Sequence, residues 1–206
     1  MSQSFADLGV SGPVLAALGR HGIRAPFAIQ ALVLPDALAG VDVLAAAPTG
    51  SGKTLAFGIP TIERTAGADG HPSALVLVPT RELASQIVAD LQPLAASRGL
   101  RVTAVYGGTS VGAQAKQARG AHILIATPGR LQDLLERRLV SLGSVRILVL
   151  DEADRMLDMG FRPQVDRILR QIPENRQTML FSATLEGPVA DLQPLAASRG
   201  LRVTAV

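Results

Sequence analysis

With 206 residues, 48% of them hydrophobic and 18% charged, the chain has material for one full core and is expected to fold rather than remain disordered. The absence of cysteine excludes disulfides and thiolate chemistry. No apolar run reaches the length of a membrane span, and Met1 to Asp7 lacks a secretion-signal pattern, so a cytoplasmic protein without membrane contact is the expectation. A formal net charge of +3 predicts local rather than long-range attraction of nucleic acid; 18 of the 20 basic residues are Arg, which the codon bias of a GC-rich genome explains better than phosphate contact, because they are spread along the chain.

The chain opens on a helical segment, residues 5–39. Ser11-Gly12-Pro13 reads as a helix start and Gly22 as a stop. Pro26 can open a second helix carrying Gln30, which Pro35 is expected to bend or restart. From residue 41 onward, short apolar runs alternate with helical patterns. The runs at 41–46, 74–78, 101–105, 122–126, 146–150 and 177–181 predict strands, several of them apolar at nearly every position, as strands buried on both faces require. Helices are predicted at about 53–65, 81–97, 111–119, 129–137 and 161–172. This alternation implies an α/β fold, a mostly parallel sheet with helices on both faces, whose ligands bind beyond the C-terminal ends of the strands. The division expected is a helical segment over 1–40, a nucleotide-binding domain over 41–188, and a tail over 189–206.

That tail repeats residues 88–105 without a single difference. Structural repeats drift in sequence and recur more than twice, so a perfect single copy points to a recent duplication, such as recombination at the shared Val-Ala-Asp-Leu. Both copies read as a helix end, a Gly stop and a short strand. The tail is therefore expected to form a helix and an added edge strand in a monomer; exchange of the tail between two copies is the alternative.

Residues with chemistry to offer follow the predicted strands. Ala47-Pro-Thr-Gly-Ser-Gly-Lys-Thr54 lies between a strand and a helix, where a glycine-rich turn aims backbone N–H groups and a helix N-terminus at phosphate oxygens. Thr49, Gly50, Ser51 and Gly52 form the cradle, Lys53 adds charge for the β and γ phosphates, and Thr54 offers a hydroxyl to Mg²⁺. Asp151-Glu-Ala-Asp154 closes another apolar run. Adjacent residues at a strand end point apart, so Asp151 can hold Mg²⁺ while Glu152 positions or deprotonates the attacking water. A helix cap would explain these acids if they stood alone, and Asp154 can still be structural.

Taken in order, these motifs resemble the first RecA-like domain of DEAD-box RNA helicases, from Phe5 to about Val189. The resemblance implies ATP and Mg²⁺ as cofactors, with Glu152, Lys53 and Asp151 as the catalytic set. Gly22 to Gln30 resembles the family's adenine-reading motif, placing Arg24 and Gln30 at the nucleotide and Phe5 upstream as the aromatic that packs on the base; Ile23 and Phe27 depart from the family's usual aromatic and Thr or Ser. Ser182-Ala-Thr184 resembles the motif that couples hydrolysis to strand separation, with Asp154, Ser182 and Thr184 as the coupling residues. Pro79-Thr80-Arg81, Gly107-Gly108 and Thr127-Pro128-Gly129-Arg130 resemble loops that hold single-stranded or duplex RNA by its backbone, with little base information. A helix cap or turn explains any one of these loops equally well. The family also implies a second RecA-like domain, carrying arginine fingers. Nothing after Thr184 resembles one, so the 206 residues alone are expected to be nearly inactive. The readings left open beside the RNA helicase are a DNA helicase core and a nucleotide-dependent interaction module for RNA or protein.

Overall fold

The largely apolar runs become the middle layer of the molecule. The computed structural model describes residues 3–65, 71–196 and 201–205. Among the described residues seven strands form one sheet: β1 (Asp42–Ala46), β2 (Ala74–Leu77), β3 (Val102–Val105), β4 (Ile123–Ala126), β5 (Ile147–Leu150), β6 (Gln177–Ser182) and β7 (Leu201–Ala205). Every pairing is parallel, and the order across the sheet is β3-β4-β2-β5-β6-β1-β7. The helices are α1 (Gly12–Arg20), α2 (Ala28–Leu38), α3 (Lys53–Arg64), α4 (Arg81–Ala96), α5 (Val111–Arg119), α6 (Pro128–Glu136), α7 (Ala153–Asp158) and α8 (Arg162–Leu169).

Strand alternation sorts the core into two halves. Val43, Ala45, Val76, Ile125, Val149 and Phe181 face α1 to α4, whereas Leu44, Leu75, Leu77, Leu124, Leu148 and Leu180 face α5 to α8. Both faces of the central strands are therefore covered, as a parallel sheet demands. Phe57 of α3 meets Phe181 of β6 edge to face, with ring centroids 5.5 Å apart. One amide ties the connection between α2 and β1 to β6: Gln177 donates to the carbonyls of Ala37 and Val41 (2.9 and 2.8 Å) and accepts from Arg64 (3.0 Å). Helix α2 runs through Pro35 without interruption rather than restarting there, because burial of Ile29, Val33, Leu34 and Ala37 outweighs the single hydrogen bond that proline removes.

The sheet order groups the loops. β5, β6 and β1 are neighbours, so the loops starting at Asp151, Ala183 and Ala47 emerge side by side. β3, β4 and β2 form the other group, which brings together the loops starting at Tyr106, Thr127 and Val78.

The duplicated string takes two local structures. In the first copy Val88–Ala96 completes α4, which starts at Arg81 under a Thr80 cap. In the second copy the residues matching Val88–Ala95 fall in a 3₁₀ stretch, Gly187–Ala196, that lacks those preceding helical turns and that cap. A helical nucleus is costly, so the upstream residues decide the outcome. Both copies then supply an edge strand: β3 lies on β4, and β7 lies on β1 of the same chain. The Gly200 stop lies outside the described residues.

Helices α3 and α4 approach through Gly58, where an added Cβ would collide with the fully buried Leu91. Gly58→Ala is therefore expected to destabilise the fold by roughly 1–3 kcal/mol, despite the ~1 kcal/mol that alanine gains in a helix interior. Denaturant titration checks this, and a variant as stable as the parent would refute the tight contact.

Candidate functional site

The loop after β1 is shaped by two left-handed glycines, Gly50 (φ +85°) and Gly52 (φ +93°), the second of which starts α3. Only glycine takes such angles without penalty. The first loop residue is anchored to the neighbouring strand, because Ala47 N–H donates to the Ser182 carbonyl at 2.9 Å. Lys53, at the first position of α3, is buried, and its ammonium donates to the Ala47 carbonyl at 2.8 Å. Ser51 closes the loop on itself by donating to the Pro48 carbonyl at 2.8 Å.

Across from this loop, Asp151 is 3% exposed at the end of β5. Burial pushes its carboxyl up to about 6; the Lys53 charge opposes that rise, and the Glu152 and Asp154 charges add to it. Its oxygen accepts the Glu152 N–H at 3.0 Å. Glu152 itself takes a left-handed backbone (φ +50°), a strained state for a non-glycine residue that costs on the order of 1–3 kcal/mol. Its carboxylate pairs with Arg155 at 3.1 Å. Asp154 and the loop after β6 are joined by reciprocal bonds: Asp154 N–H donates to the Ser182 hydroxyl, and Ala183 N–H donates to the Asp154 carboxylate, each at 3.2 Å. Thr184 is exposed, and its hydroxyl accepts from Glu186 N–H at 3.2 Å, so it is engaged locally rather than with the acidic cluster.

A cleft of about 550 Å³ joins these parts. Gln30, Thr49, Gly50, Gly52, Lys53, Thr54, Asp151 and Glu152 all line it. A smaller cavity of about 130 Å³ shares Thr49, Lys53 and Glu152 and reaches Asp154, Arg155 and Ala183. Three nucleotide candidates do not line the large cleft: Arg24, Ser51 and Phe5. Phe5 is 3% exposed and packs into the core with α1 and α2, so its ring faces protein rather than the opening. The lining also includes Ile23, Ala25 and Phe27 of the 22–30 segment, to which the sequence assigned no contact of their own, and the α4 face of Leu83, Gln86 and Asp90. The last three are spaced as a helix face is, which marks a surface but not a ligand.

Gln30 holds the two sides of the cleft together. Its side chain accepts the Phe27 N–H at 2.9 Å and donates to the Gly52 carbonyl at 3.0 Å. Among the described residues, no cluster of three or more His, Asp or Glu side chains is arranged to hold a metal by itself. Mg²⁺ does not need such a cage when phosphate and water complete its shell, and a buried carboxylate and a hydroxyl lining the same cleft, Asp151 and Thr54, fit that requirement.

The second loop group forms a shallower cleft of about 450 Å³, lined by Pro79, Arg81, Gly107, Thr127, Gly129, Arg130, Asp133 and Phe161. Arg130 is held rigidly, donating to Gln114 at 2.6 Å and to the Thr109 carbonyl at 3.1 Å. Gln114, buried and unmarked in the sequence reading, also accepts the Tyr106 N–H at 3.3 Å. Arg81 is exposed and pairs with Glu82. Three candidates are structurally engaged outside the lining: Thr80 caps α4 by accepting Leu83 N–H at 3.2 Å, Pro128 is buried at the start of α6, and Gly108 forms the turn at φ +85°. The short helix α7 also lay outside the sequence reading; its six residues are too few to show a period.

A phosphate-cradling loop, a buried lysine and a carboxylate pair beside it on a parallel sheet define a nucleoside-triphosphate-binding α/β domain. A family model described as DEAD/DEAH box helicase matches residues 27–192, and the chain belongs to that family. It is 46% identical over 182 residues to the DEAD-box ATP-dependent RNA helicase CshA of Streptococcus pneumoniae, covering 88% of this chain and 35% of that protein. It is 47% identical over 191 residues to the ATP-dependent RNA helicase DeaD of Mycobacterium tuberculosis, covering 92% of this chain and 34% of that protein. The crystal structure of a DEAD box protein from the hyperthermophile Methanococcus jannaschii superposes with a TM-score of 0.90 at 35% identity, covering 100% of this chain and 56% of the other. The chain thus spans about a third of the length of the curated relatives it matches.

The Asp151 carboxyl has a sign for stability as well as for chemistry. Its folded value, about 6, lies above the ordinary 3.8, so the stability it contributes is complete below the ordinary value and is lost as pH rises through the folded one. Asp151→Asn is therefore expected to be more stable than the parent at pH 8, by on the order of 1–3 kcal/mol. That advantage shrinks as pH falls through 6 and vanishes below 3.8. Urea titrations across this range check it; an advantage independent of pH would contradict the burial argument.

Proposed function

We propose that this chain is the ATP-binding half of an ATP-dependent RNA helicase that couples ATP binding and hydrolysis to local separation of RNA duplexes. The observation that carries the reading is the shared cleft: Lys53, Thr54, Asp151 and Glu152, drawn from two loops about a hundred residues apart in sequence, line one opening.

In this reading the N–H groups of the loop after β1 and the start of α3 bind the phosphates, and Lys53 leaves the Ala47 carbonyl to neutralise them. Thr54 and Asp151 would hold Mg²⁺, which would supply positive charge beside the phosphates. Glu152 orients the attacking water, and its exchange between Arg155 and that water sets the geometry. Asp154 and Ser182, already bonded, pass the state of the acidic loop to the segment after β6. Arg81, Arg130 and the helix N-termini of α4 and α6 hold RNA by its backbone, without reading bases. We place a second RecA-like domain against both clefts, supplying arginine to the γ-phosphate. The 206 residues by themselves should bind adenine nucleotides weakly, hydrolyse them slowly and leave duplexes intact.

Calorimetry and a steady-state ATPase assay test the site. Lys53→Ala should weaken ATP binding by roughly 10- to 100-fold, the worth of a hydrogen bond to a charged group. Glu152→Gln should leave binding in place and reduce residual hydrolysis by about 10² or more. Undiminished ATP binding by Lys53→Ala would overturn the assignment.

Arg81→Ala should weaken binding of single-stranded RNA about equally across sequences and lower the salt slope by about one. An effect confined to one base sequence would contradict backbone recognition.

A further inference from the structure

At the mouth of the large cleft stands an aromatic residue that breaks two local rules at once. Phe27 is the N-cap of α2, a position where Ser, Thr, Asp or Asn would satisfy a free N–H, and it has no side-chain oxygen to do so. It is also 59% exposed, the most exposed large hydrophobic among the described residues. Neither feature helps the fold. Breaches of this kind concentrate where a site has a use for the residue.

The geometry supplies that use. Phe27 lines the cleft beside Ile23, Ala25 and Gln30, and its ring lies over the phosphate loop: a Cβ added to Gly52 would come within 2.6 Å of the Phe27 ring and 2.7 Å of the Gln30 amide. A nucleotide with its phosphates on Lys53 and Thr54 must lead its ribose and base out of the loop. The apolar wall of Ile23, Ala25 and Phe27 is the part of the lining that suits them. The other phenyl rings are elsewhere: Phe5, Phe57 and Phe181 are buried in the core, and Phe161 lines the second cleft.

We propose that Phe27 is a nucleotide-contacting, specificity-determining residue, whose exposed ring packs on the nucleoside portion of the bound nucleotide. The inference rests on the nucleotide reading of this cleft. Covering half-exposed aromatic surface and gaining a ring contact implies about a tenfold contribution to affinity. That contribution belongs to the nucleoside and not to the phosphates.

The test uses the 206-residue chain with two ligands, ADP and inorganic tripolyphosphate, in the parent, Phe27→Ser and Phe27→Ala. Phe27→Ser supplies the missing cap and should raise the thermal midpoint. It should also weaken ADP about tenfold and leave tripolyphosphate within twofold. Phe27→Ala should lose the same ADP affinity without the rise in midpoint. A merely structural role would move stability and both affinities together. Unchanged or tighter ADP binding in both variants would overturn the inference, as would equal losses for the two ligands. If the parent binds tripolyphosphate and ADP but the variants match it, this inference alone falls. If the parent binds neither, the nucleotide reading falls and takes this with it.

Discussion

The side-by-side pairing of β5, β6 and β1 is the constraint on which the site depends. Nothing else brings residue 47 to residue 182 and residue 53 to residue 151. The join is a backbone one, with the Ala47 N–H on the Ser182 carbonyl, so it holds independently of side-chain choice. From it the acidic loop, the phosphate loop and the segment after β6 acquire fixed relative positions. The two reciprocal bonds between Asp154 and the Ser182-Ala183 turn extend that fixity to side chains.

Within this frame the charges are poised rather than spent. Among the described residues Lys53 is buried with a carbonyl as its hydrogen-bond partner, and Asp151 is buried with its carboxyl pushed up to about 6. Each is poorly solvated without a ligand of opposite charge, and a metal-bound polyphosphate would satisfy both. Glu152 adds backbone strain at the same place. A fold selected for stability alone would retain none of these features; a site that must bind charge in a low-dielectric cleft gains from all three.

Much of the architecture was legible in the sequence because its signals are local. The six runs are apolar over most of their length, and each became a strand within a residue or so of the expected bounds. The glycine-rich loop announced itself by two positions that need positive φ. What was not legible is non-local. Strand order is not written in any one segment, so the separation of loops into two clefts emerged only with the sheet. The α4 wall of the cleft carries its carboxylate, Asp90, outside any motif, and Gln114, which steadies Arg130, looks like any surface glutamine of a helix. Phe5 resembled a base-packing aromatic by its place in the chain, yet the core claimed it. The duplicated string shows the limit most directly: one sequence ends an α-helix in one setting and a 3₁₀ stretch in the other, according to what precedes it.

Backbone amide hydrogen exchange with and without ADP and Mg²⁺ tests the central claim most directly, since it reports on the loops themselves. A single shared site slows exchange together in 47–54, 151–154 and 182–184 and leaves the loops at 107–110 and 127–130 unchanged. Protection of the first loop without the other two, or of the second group instead, would contradict a single site built from β1, β5 and β6.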